Sequence, residues 1–249
     1  YKTQEKEFSN ALAKKMEDVI YGPETFFHHP TLFSKAMLGL REKRNAFSKE
    51  EILEIIKRGC DGSAELSQEF QANINSLITN GLNQSRLLCV SENKENVVMW
   101  SHYADSHKGV CIKLNCIEEV DNTLLAARPV EYSENFPVYL DINDQIDHIT
   151  GERDVKVAQL IKDVAYIKHA DWAYEREWRV HRPHETSEGD YSTWSEDKRV
   201  FGSIYLGCRI APNDAAEIIS IAEQKYPKMD IYEARTSTTG FRLNFEKIK

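Results

Sequence analysis

The chain has 249 residues, of which 41% are hydrophobic and 29% are charged, a composition typical of a globular protein with a hydrophobic core. Its formal net charge of −8 argues against broad electrostatic attraction to nucleic acid or to an anionic membrane. No stretch approaches the roughly 20 consecutive apolar residues that a transmembrane helix needs. We therefore expect a cytoplasmic protein that is not bound to a membrane and does not have nucleic acid as a partner.

The cysteine pattern predicts neither a disulfide framework nor a zinc site. Five cysteines are an odd number, they are dispersed, and none forms a CxxC pair. The adjacent His28 and His29 have no second histidine pair or carboxylate pair nearby at helical i, i+4 spacing. We expect reduced thiols and no bound metal.

The first third of the chain has the apolar spacing of helices. A helix is predicted over 9–22, with Ser9 as its cap. A second helix begins at the capping box of Ser48 and Glu51 and ends near Gly59, and a third covers 64–81. Their expected buried faces are Leu12, Met16, Val19 and Ile20, then Ile52, Ile55 and Ile56, and then Leu66, Phe70, Ile74 and Leu77. Residues 1–84 are thus predicted to form a helical arm or cap.

From Ser85 the sequence changes to short alternating segments. A strand over 85–92 ends in a Ser and a Glu, a short helix closed by Gly109 follows, and "GVCIKLN" alternates as the next strand. Further strands are predicted over 127–134, 172–183, 200–211 and 230–248, and further helices over 152–169 and 213–227. Without regular βαβ alternation, this order predicts an α+β core domain over 85–249, with a mixed, largely antiparallel sheet and packed helices.

Two motifs carry a family resemblance. The stretch "MWSHYADSHKGVCIKLN", preceded by "CVSE", and the stretch "DWAYEREWRV", followed by "IYLGCRI", resemble the bacterial and archaeal domain of unknown function 2971. The resemblance covers roughly residues 85–210. The N-terminal strand and the Asn-Asp-Pro-Phe turn of that family have no counterpart here. The family implies no particular activity.

The strongest chemical hint is Glu175-Arg176-Glu177. On a strand, residues i and i+2 face the same side, so the two carboxylates are expected about 7 Å apart. Two like charges placed in this way need a shared cation, a substrate or an arginine, and Arg179 lies on the same face. The pattern indicates either a structural salt bridge between Glu177 and Arg179 or a functional site.

A Glu-x-Glu strand late in a mixed sheet also resembles the catalytic strand of mono-ADP-ribosyltransferases. In those enzymes the final Glu binds the ribose next to nicotinamide and stabilises an oxocarbenium-like transition state. An earlier strand ends in Ser or Tyr and leads into a short helix. This resemblance implies that Glu177 is catalytic, that Ser91 ends the earlier strand, and that NAD is a substrate. The Arg or His that holds NAD in that family has no identified counterpart.

His102 and Tyr103 form the second constellation. A histidine beside a carboxylate can act as a general base near neutral pH, and it can equally join a helix to a sheet by hydrogen bonds. Trp100 is either a stacking surface for a ligand or part of the core. We expect His102, Glu175 and Glu177 to share one pocket. The candidate residues are Glu177, Glu175 and His102 for catalysis, and Ser91, Trp100, Tyr103 and Arg179 for substrate binding.

These observations favour two functional hypotheses. The first is a bacterial effector-type enzyme that consumes NAD, resembling an ADP-ribosyltransferase or an NAD glycohydrolase, with a nucleotide as its small-molecule partner. The second is a non-catalytic interaction module of a defence or toxin–antitoxin system, whose helical arm binds a protein partner. A nuclease is a weaker third. The sequence has no P-loop, GxGxxG, HExxH or GxSxG motif, which argues against kinases, Rossmann dehydrogenases, zincins and α/β-hydrolases.

Overall fold

The computed structural model describes residues 2–61, 63–135, 140–183, 189 and 191–249. The helices are α1 (Lys2–Tyr21), α2 (Leu32–Lys43), α3 (Lys49–Cys60), α4 (Ser63–Asn83), α5 (Val97–Tyr103), α6 (Ile142–Thr150), α7 (Val157–Ala165) and α8 (Pro212–Lys225). The strands are β1 (Ser85–Ser91), β2 (Val110–Leu114), β3 (Arg128–Pro129), β4 (Glu131–Ser133), β5 (Ile167–His169), β6 (Glu177–Pro183), β7 (Phe201–Leu206), β8 (Asp230–Thr236) and β9 (Leu243–Lys247). None of the described helices is long and apolar enough to cross a bilayer.

The chain folds into two compact units. The helical unit comprises residues 1–83 and 137–163, and the sheet unit comprises residues 84–136 and 164–249. The first change of unit falls where the sequence changes from helical spacing to alternation. Residues 137–163 return to the helical unit, which the sequence did not indicate.

The core of the helical unit forms around one face of α1. Leu12 and Ile20 of this helix are fully buried, and they pack in one cluster with Met37 of α2, Ile52 of α3 and Ile146 of α6. The 3.6-residue period places these α1 side chains on one stripe. Because Ile146 lies in this core, α6 is part of the helical unit although it is distant in sequence.

The start of α3 follows its sequence signal, whereas the start of α1 does not. Ser48 accepts a hydrogen bond from the Glu51 amide at 3.2 Å, and the Glu51 carboxylate accepts one from the Ser48 amide at 2.8 Å. The predicted capping box is therefore confirmed. Helix α1 already begins at Lys2, so Ser9 lies inside it and is not its cap.

The buried face of α4 lies beside the predicted one. Ser67 and Ile74 are buried, whereas Leu66 and Leu77 are 44% and 49% exposed. Each residue advances about 100° around a helix axis, so a buried stripe shifted by one position turns the two leucines outward. In α3, Ile55 is likewise 41% exposed.

The described strands of the sheet unit form three sheets. One has the order β1-β6-β3, the second has the order β2-β7-β8-β9, and the third pairs β4 with β5. All pairs are antiparallel except β4 with β5 and β7 with β8, which are parallel. The α+β prediction, with its largely antiparallel strands, is confirmed.

Trp100 lies in the core of the sheet unit. Its side chain is 3% exposed, and it clusters with Tyr205, Ala234 and Leu243 from strands β7, β8 and β9. Its indole nitrogen donates a hydrogen bond to the Lys94 carbonyl at 2.7 Å. The expectation that Trp100 binds substrate is therefore wrong, because its ring is enclosed by protein.

Helix α5 ends in a tight turn. The helix was expected to run to Gly109 but stops at Tyr103. The next residues include Asp105 and His107, whose φ angles are 44° and 69°, which is an uncommon conformation for residues other than glycine. A Cβ atom at Gly207 would lie 2.1 Å from the His107 carbonyl oxygen, so only glycine fits there. This turn fixes the end of the helix that carries His102 and Tyr103.

Candidate functional site

Glu175 and Glu177 do not lie on one strand. Residues Ala170–Glu175 form a 3-10 helix, Arg176 adopts a left-handed conformation with φ of 46°, and β6 begins at Glu177. The strand prediction for 172–183 is therefore wrong in its first half. Arg176 breaks the alternation that would have placed both side chains on one face of a sheet.

Lys168 nevertheless joins the two carboxylates. Its Nζ atom contacts Glu175 Oε2 and lies 3.1 Å from Glu177 Oε2. The two glutamates are 2% and 7% exposed, and burial without a counter-charge would be costly. Lys168, on the short strand β5, lies between the two carboxylates and supplies this counter-charge.

Arg179 holds Glu177 from the other side. Its Nε and Nη2 atoms donate to the two carboxylate oxygens at 2.8 and 3.0 Å, and its Nη1 donates to the Ala165 carbonyl at 2.5 Å. Its side chain is 13% exposed. The paired geometry is the strong bidentate form of this interaction. Arg179 thus contacts protein groups, and its expected role in binding substrate becomes one of fixing Glu177.

The surroundings of Glu177 keep it ionised. Burial alone would raise its pKa, but hydrogen bonds from Arg179, Cys89 and Lys168 together lower the pKa to about 2. Its backbone amide also donates to the Tyr132 hydroxyl at 2.8 Å.

Tyr103 and Ser91 both contact Glu175. The Tyr103 hydroxyl donates to Glu175 Oε1 at 2.7 Å, and this bond is the main reason that the pKa of Tyr103 rises to about 12. The Ser91 hydroxyl donates to the Glu175 backbone carbonyl at 2.6 Å. Ser91 is also the cross-strand partner of Glu177 in the β1–β6 pair.

We call Tyr103, Lys168, Glu175, Glu177 and Arg179 the carboxylate network. It contains two acidic and two basic side chains, so it is electrically balanced. Four of its members were predicted from the sequence as site residues: Tyr103, Glu175, Glu177 and Arg179. Lys168 was not predicted. A single lysine in "AYIKHADW" does not indicate that it contacts Glu175 and Glu177, seven and nine residues further along the chain.

His102 lies outside the network. Its Nδ1 atom is 3.3 Å from the Tyr174 hydroxyl, and its ring centroid is 6.1 Å from that of Trp172. Successive side chains on a helix point about 100° apart. Because Tyr103 is directed at Glu175, the preceding His102 is directed elsewhere. Among the described contacts His102 bonds to Tyr174 and to neither Glu175 nor Glu177, and the pocket shared by the three residues stays a prediction.

The aromatic residues around His102 form what we call the ring surface: His102, Tyr103, Trp172 and Tyr174. Tyr103 is 61% exposed and Trp172 is 37% exposed. The centroids of Trp172 and Tyr174 are 6.0 Å apart. Lys168 Nζ lies 4.9 Å from the Trp172 centroid, so this lysine contacts both the network and the ring surface.

Trp178 and Cys89 flank the network on the same pair of strands. Trp178 is half-buried and its indole nitrogen donates to Glu92 at 2.7 Å. It does not belong to the core cluster of Trp100. Cys89 as a residue is exposed, yet desolvation of its thiol and the nearby Glu177 raise the pKa of that thiol to about 11. No group of three potential metal ligands converges among the residues that the structure describes.

Comparison with protein families gives a match over part of the chain. Residues 99–180 match the model of a family described as "Protein of unknown function (DUF2971)". The matched segment runs from α5 into β6 and contains every member of the carboxylate network and of the ring surface. The match supports the resemblance drawn from the motifs over that segment. Comparisons with curated proteins and with solved structures found no match, and they give no support to the likeness to mono-ADP-ribosyltransferases.

Proposed function

We propose that the sheet unit binds NAD or a related nucleotide and breaks its N-glycosidic bond, either by hydrolysis or by transfer of ADP-ribose. The observation that carries this proposal is the position of Glu177. This residue, 7% exposed and ionised, begins β6 opposite Ser91, and Lys168 links its carboxylate to the exposed ring of Trp172.

The proposed reaction places positive charge near a carboxylate. The bond between ribose C1 and the nicotinamide nitrogen breaks, and its electron pair leaves with the neutral nicotinamide. The oxygen of water, or of an acceptor group, then bonds to C1 and loses its proton to solvent. The ribose carries positive charge between these events, and an ionised carboxylate stabilises that charge. A carboxyl group with a pKa of about 2 suits this role better than that of a general acid or base at neutral pH.

The ring surface supplies the second half of the proposed site. Planar bases stack on aromatic side chains, with about 1–3 kcal/mol for each stacked base. Trp172 and Tyr103 are exposed enough to offer a ring face. His102, placed among these rings, would contribute to stacking and not to proton transfer from a carboxylate.

Product analysis of the wild-type protein tests this proposal. The protein is incubated with NAD, and nicotinamide and ADP-ribose are separated and quantified by chromatography. Equal amounts of both products indicate hydrolysis. Nicotinamide in excess, with ADP-ribose recovered on a protein or nucleic acid acceptor, indicates transfer. Unchanged NAD at micromolar enzyme over hours would contradict the proposal.

A different observation favours the second candidate, a non-catalytic interaction module. Ile55, Leu66 and Leu77 of the helical unit are 41%, 44% and 49% exposed, although their spacing predicts a buried face. Exposed apolar residues on helices are typical of surfaces that bind a partner helix. The test is binding of the protein encoded by the adjacent gene, measured by calorimetry with the wild type and with Leu66→Ser and Leu77→Ser. Loss of binding in these variants would support the module, and no binding by the wild type would count against it.

A further inference from the structure

We infer that Lys168 is an internal counter-ion that a cationic ligand displaces, so that the site selects planar ligands carrying a positive charge. This inference rests on the proposed function, because the nicotinamide ring of NAD is such a cation. The inference adds two points to the proposed function: the ligand carries a positive charge, and Lys168 competes with it for the same carboxylates.

Lys168 occupies the position that a cationic ring would need. Its Nζ atom contacts both Glu175 and Glu177 and lies 4.9 Å from the Trp172 centroid. A site that combines carboxylate oxygens with an indole face attracts an ammonium group, and it attracts a pyridinium ring for the same electrostatic reasons. The Lys168 ammonium group and a pyridinium ring cannot occupy this site together, because two positive charges in contact with the same carboxylates would repel each other.

The two basic residues of the network differ in how readily they can leave. Arg179 holds Glu177 with two parallel hydrogen bonds and a third to a backbone carbonyl. Lys168 is a single point charge on a flexible chain, and its side chain is 21% exposed against 13% for Arg179. Lys168 can therefore turn to solvent while Arg179 keeps Glu177 in place.

The charge balance gives the selectivity. With Lys168 in place, two carboxylates face two cations. When Lys168 leaves, the network has one negative charge in excess at a largely buried position, which is unfavourable. A cationic ring restores the balance and a neutral ring does not. We therefore expect the oxidised nicotinamide ring to bind and the neutral, reduced ring to be disfavoured.

Chemical labelling of the wild-type protein tests the displacement directly. Lysines are acetylated with an N-hydroxysuccinimide ester, and each site is quantified by mass spectrometry. In the presence of 1-methylnicotinamide, a cation, labelling of Lys168 should rise by at least about threefold, because the displaced population increases. Neutral nicotinamide at the same concentration should leave it unchanged. Lys198 is the internal control. Its Nζ atom lies 5.9 Å from the centroid of the Tyr226 ring, and among the described contacts it forms no ion pair with a carboxylate.

Variants provide a second readout by calorimetry. Lys168→Met should bind 1-methylnicotinamide about tenfold more tightly than the wild type, because the internal competitor is gone. Its affinity for nicotinamide should not change, and Lys198→Met should behave as the wild type. If Lys168→Met does not fold, the labelling of the wild type decides. Labelling of Lys168 that falls or stays constant with the cation would overturn the inference.

The two proposals fail separately. Release of nicotinamide from NAD without displacement of Lys168 would leave the proposed function and remove this inference. Displacement of Lys168 by the cation without any turnover would keep the inference and leave a binding site in place of an enzyme.

Discussion

Glu177 is a buried, ion-paired residue of the candidate site. Its side chain is 8% exposed, and its carboxylate has two cationic partners within 3.1 Å. These two positive charges offset the cost of burying the carboxylate. The sequence raised a choice between a structural ion pair and a functional group, and the contacts show that the ion pair exists. A functional role is compatible with this ion pair, because the exposed ring of Trp172 lies beside Lys168.

The lowered pKa of Glu177 predicts a loss of stability in acid. An ordinary glutamate has a pKa of 4.5, and that of Glu177 falls to about 2 in the folded protein. Because the folded-state pKa is depressed, the stabilisation is fully present above pH 4.5 and is lost as the pH falls through 2. It amounts to about 3 kcal/mol at neutral pH. Urea unfolding followed by circular dichroism at several pH values measures it.

Glu177→Gln is the matched variant for this titration. It should be less stable than the wild type by about 3 kcal/mol at pH 7, and this difference should shrink as the pH falls below 4.5. Comparing the two proteins removes the contribution of Asp197, whose pKa is also lowered to about 2 by its hydrogen bonds with Arg199. A constant difference from pH 7 to pH 3 would show that Glu177 is not held ionised by its partners.

At the scale of elements, the two tryptophans of the motifs should differ in their contribution to stability. Trp100 is buried on α5 against three strands, so Trp100→Ala should cost about 3–5 kcal/mol. Trp178 on β6 is only half-buried, so Trp178→Ala should cost less, about 1–2 kcal/mol. Urea unfolding at pH 7 gives both values. Equal costs would mean that Trp178 also belongs to a closed core.

The elements could be predicted where the signal is local. The capping box at Ser48 and the alternation of β1 depend on residues within a few positions, and both are confirmed. The 3-10 helix that ends at Glu175 was missed because Arg176, unlike glycine, gives no warning of a left-handed conformation. The bridge from Lys168 to Glu177 was missed because it depends on how β5 and β6 lie in space, which spacing alone does not state.

In the candidate site, too, local features could be predicted from the sequence and contacts between elements could not. Tyr103 and Glu175 could be proposed as members of one site because they lie in the two motifs. Their direct hydrogen bond, and the position of His102 outside the carboxylate network, depend on how α5 is rotated about its axis. The sequence of a seven-residue helix does not define that rotation to within one residue.

At the scale of the whole molecule, the helical unit is discontinuous in sequence. Ile146 of α6 packs in the core with Leu12 and Ile52, so the segment 137–163 is a structural part of this unit. The expected arm of residues 1–84 therefore lacks one of its core elements.

This predicts how excised pieces should fold. A fragment of residues 1–84 should melt without a cooperative transition, because its core is open where α6 belongs. The same fragment joined to residues 137–165 by a short Gly-Ser linker should melt cooperatively. Thermal unfolding by circular dichroism compares the two, and Ile146→Ala in the joined protein is the control, expected to cost about 2–5 kcal/mol. A cooperative transition of equal midpoint in the shorter fragment would contradict the division.

The most direct test of the central claim is the rate of nicotinamide release from NAD by the wild type and two variants. Glu177→Gln removes the carboxylate of the network, and Glu233→Gln removes a carboxylate paired with Arg235 on β8, outside the network. The assay is run at a temperature where circular dichroism shows all three proteins folded. We expect release by the wild type and by Glu233→Gln at similar rates, and a rate lower by about a hundredfold or more for Glu177→Gln, as when a charge-stabilising group is lost. No release by the wild type, or equal release by Glu177→Gln, would contradict the account.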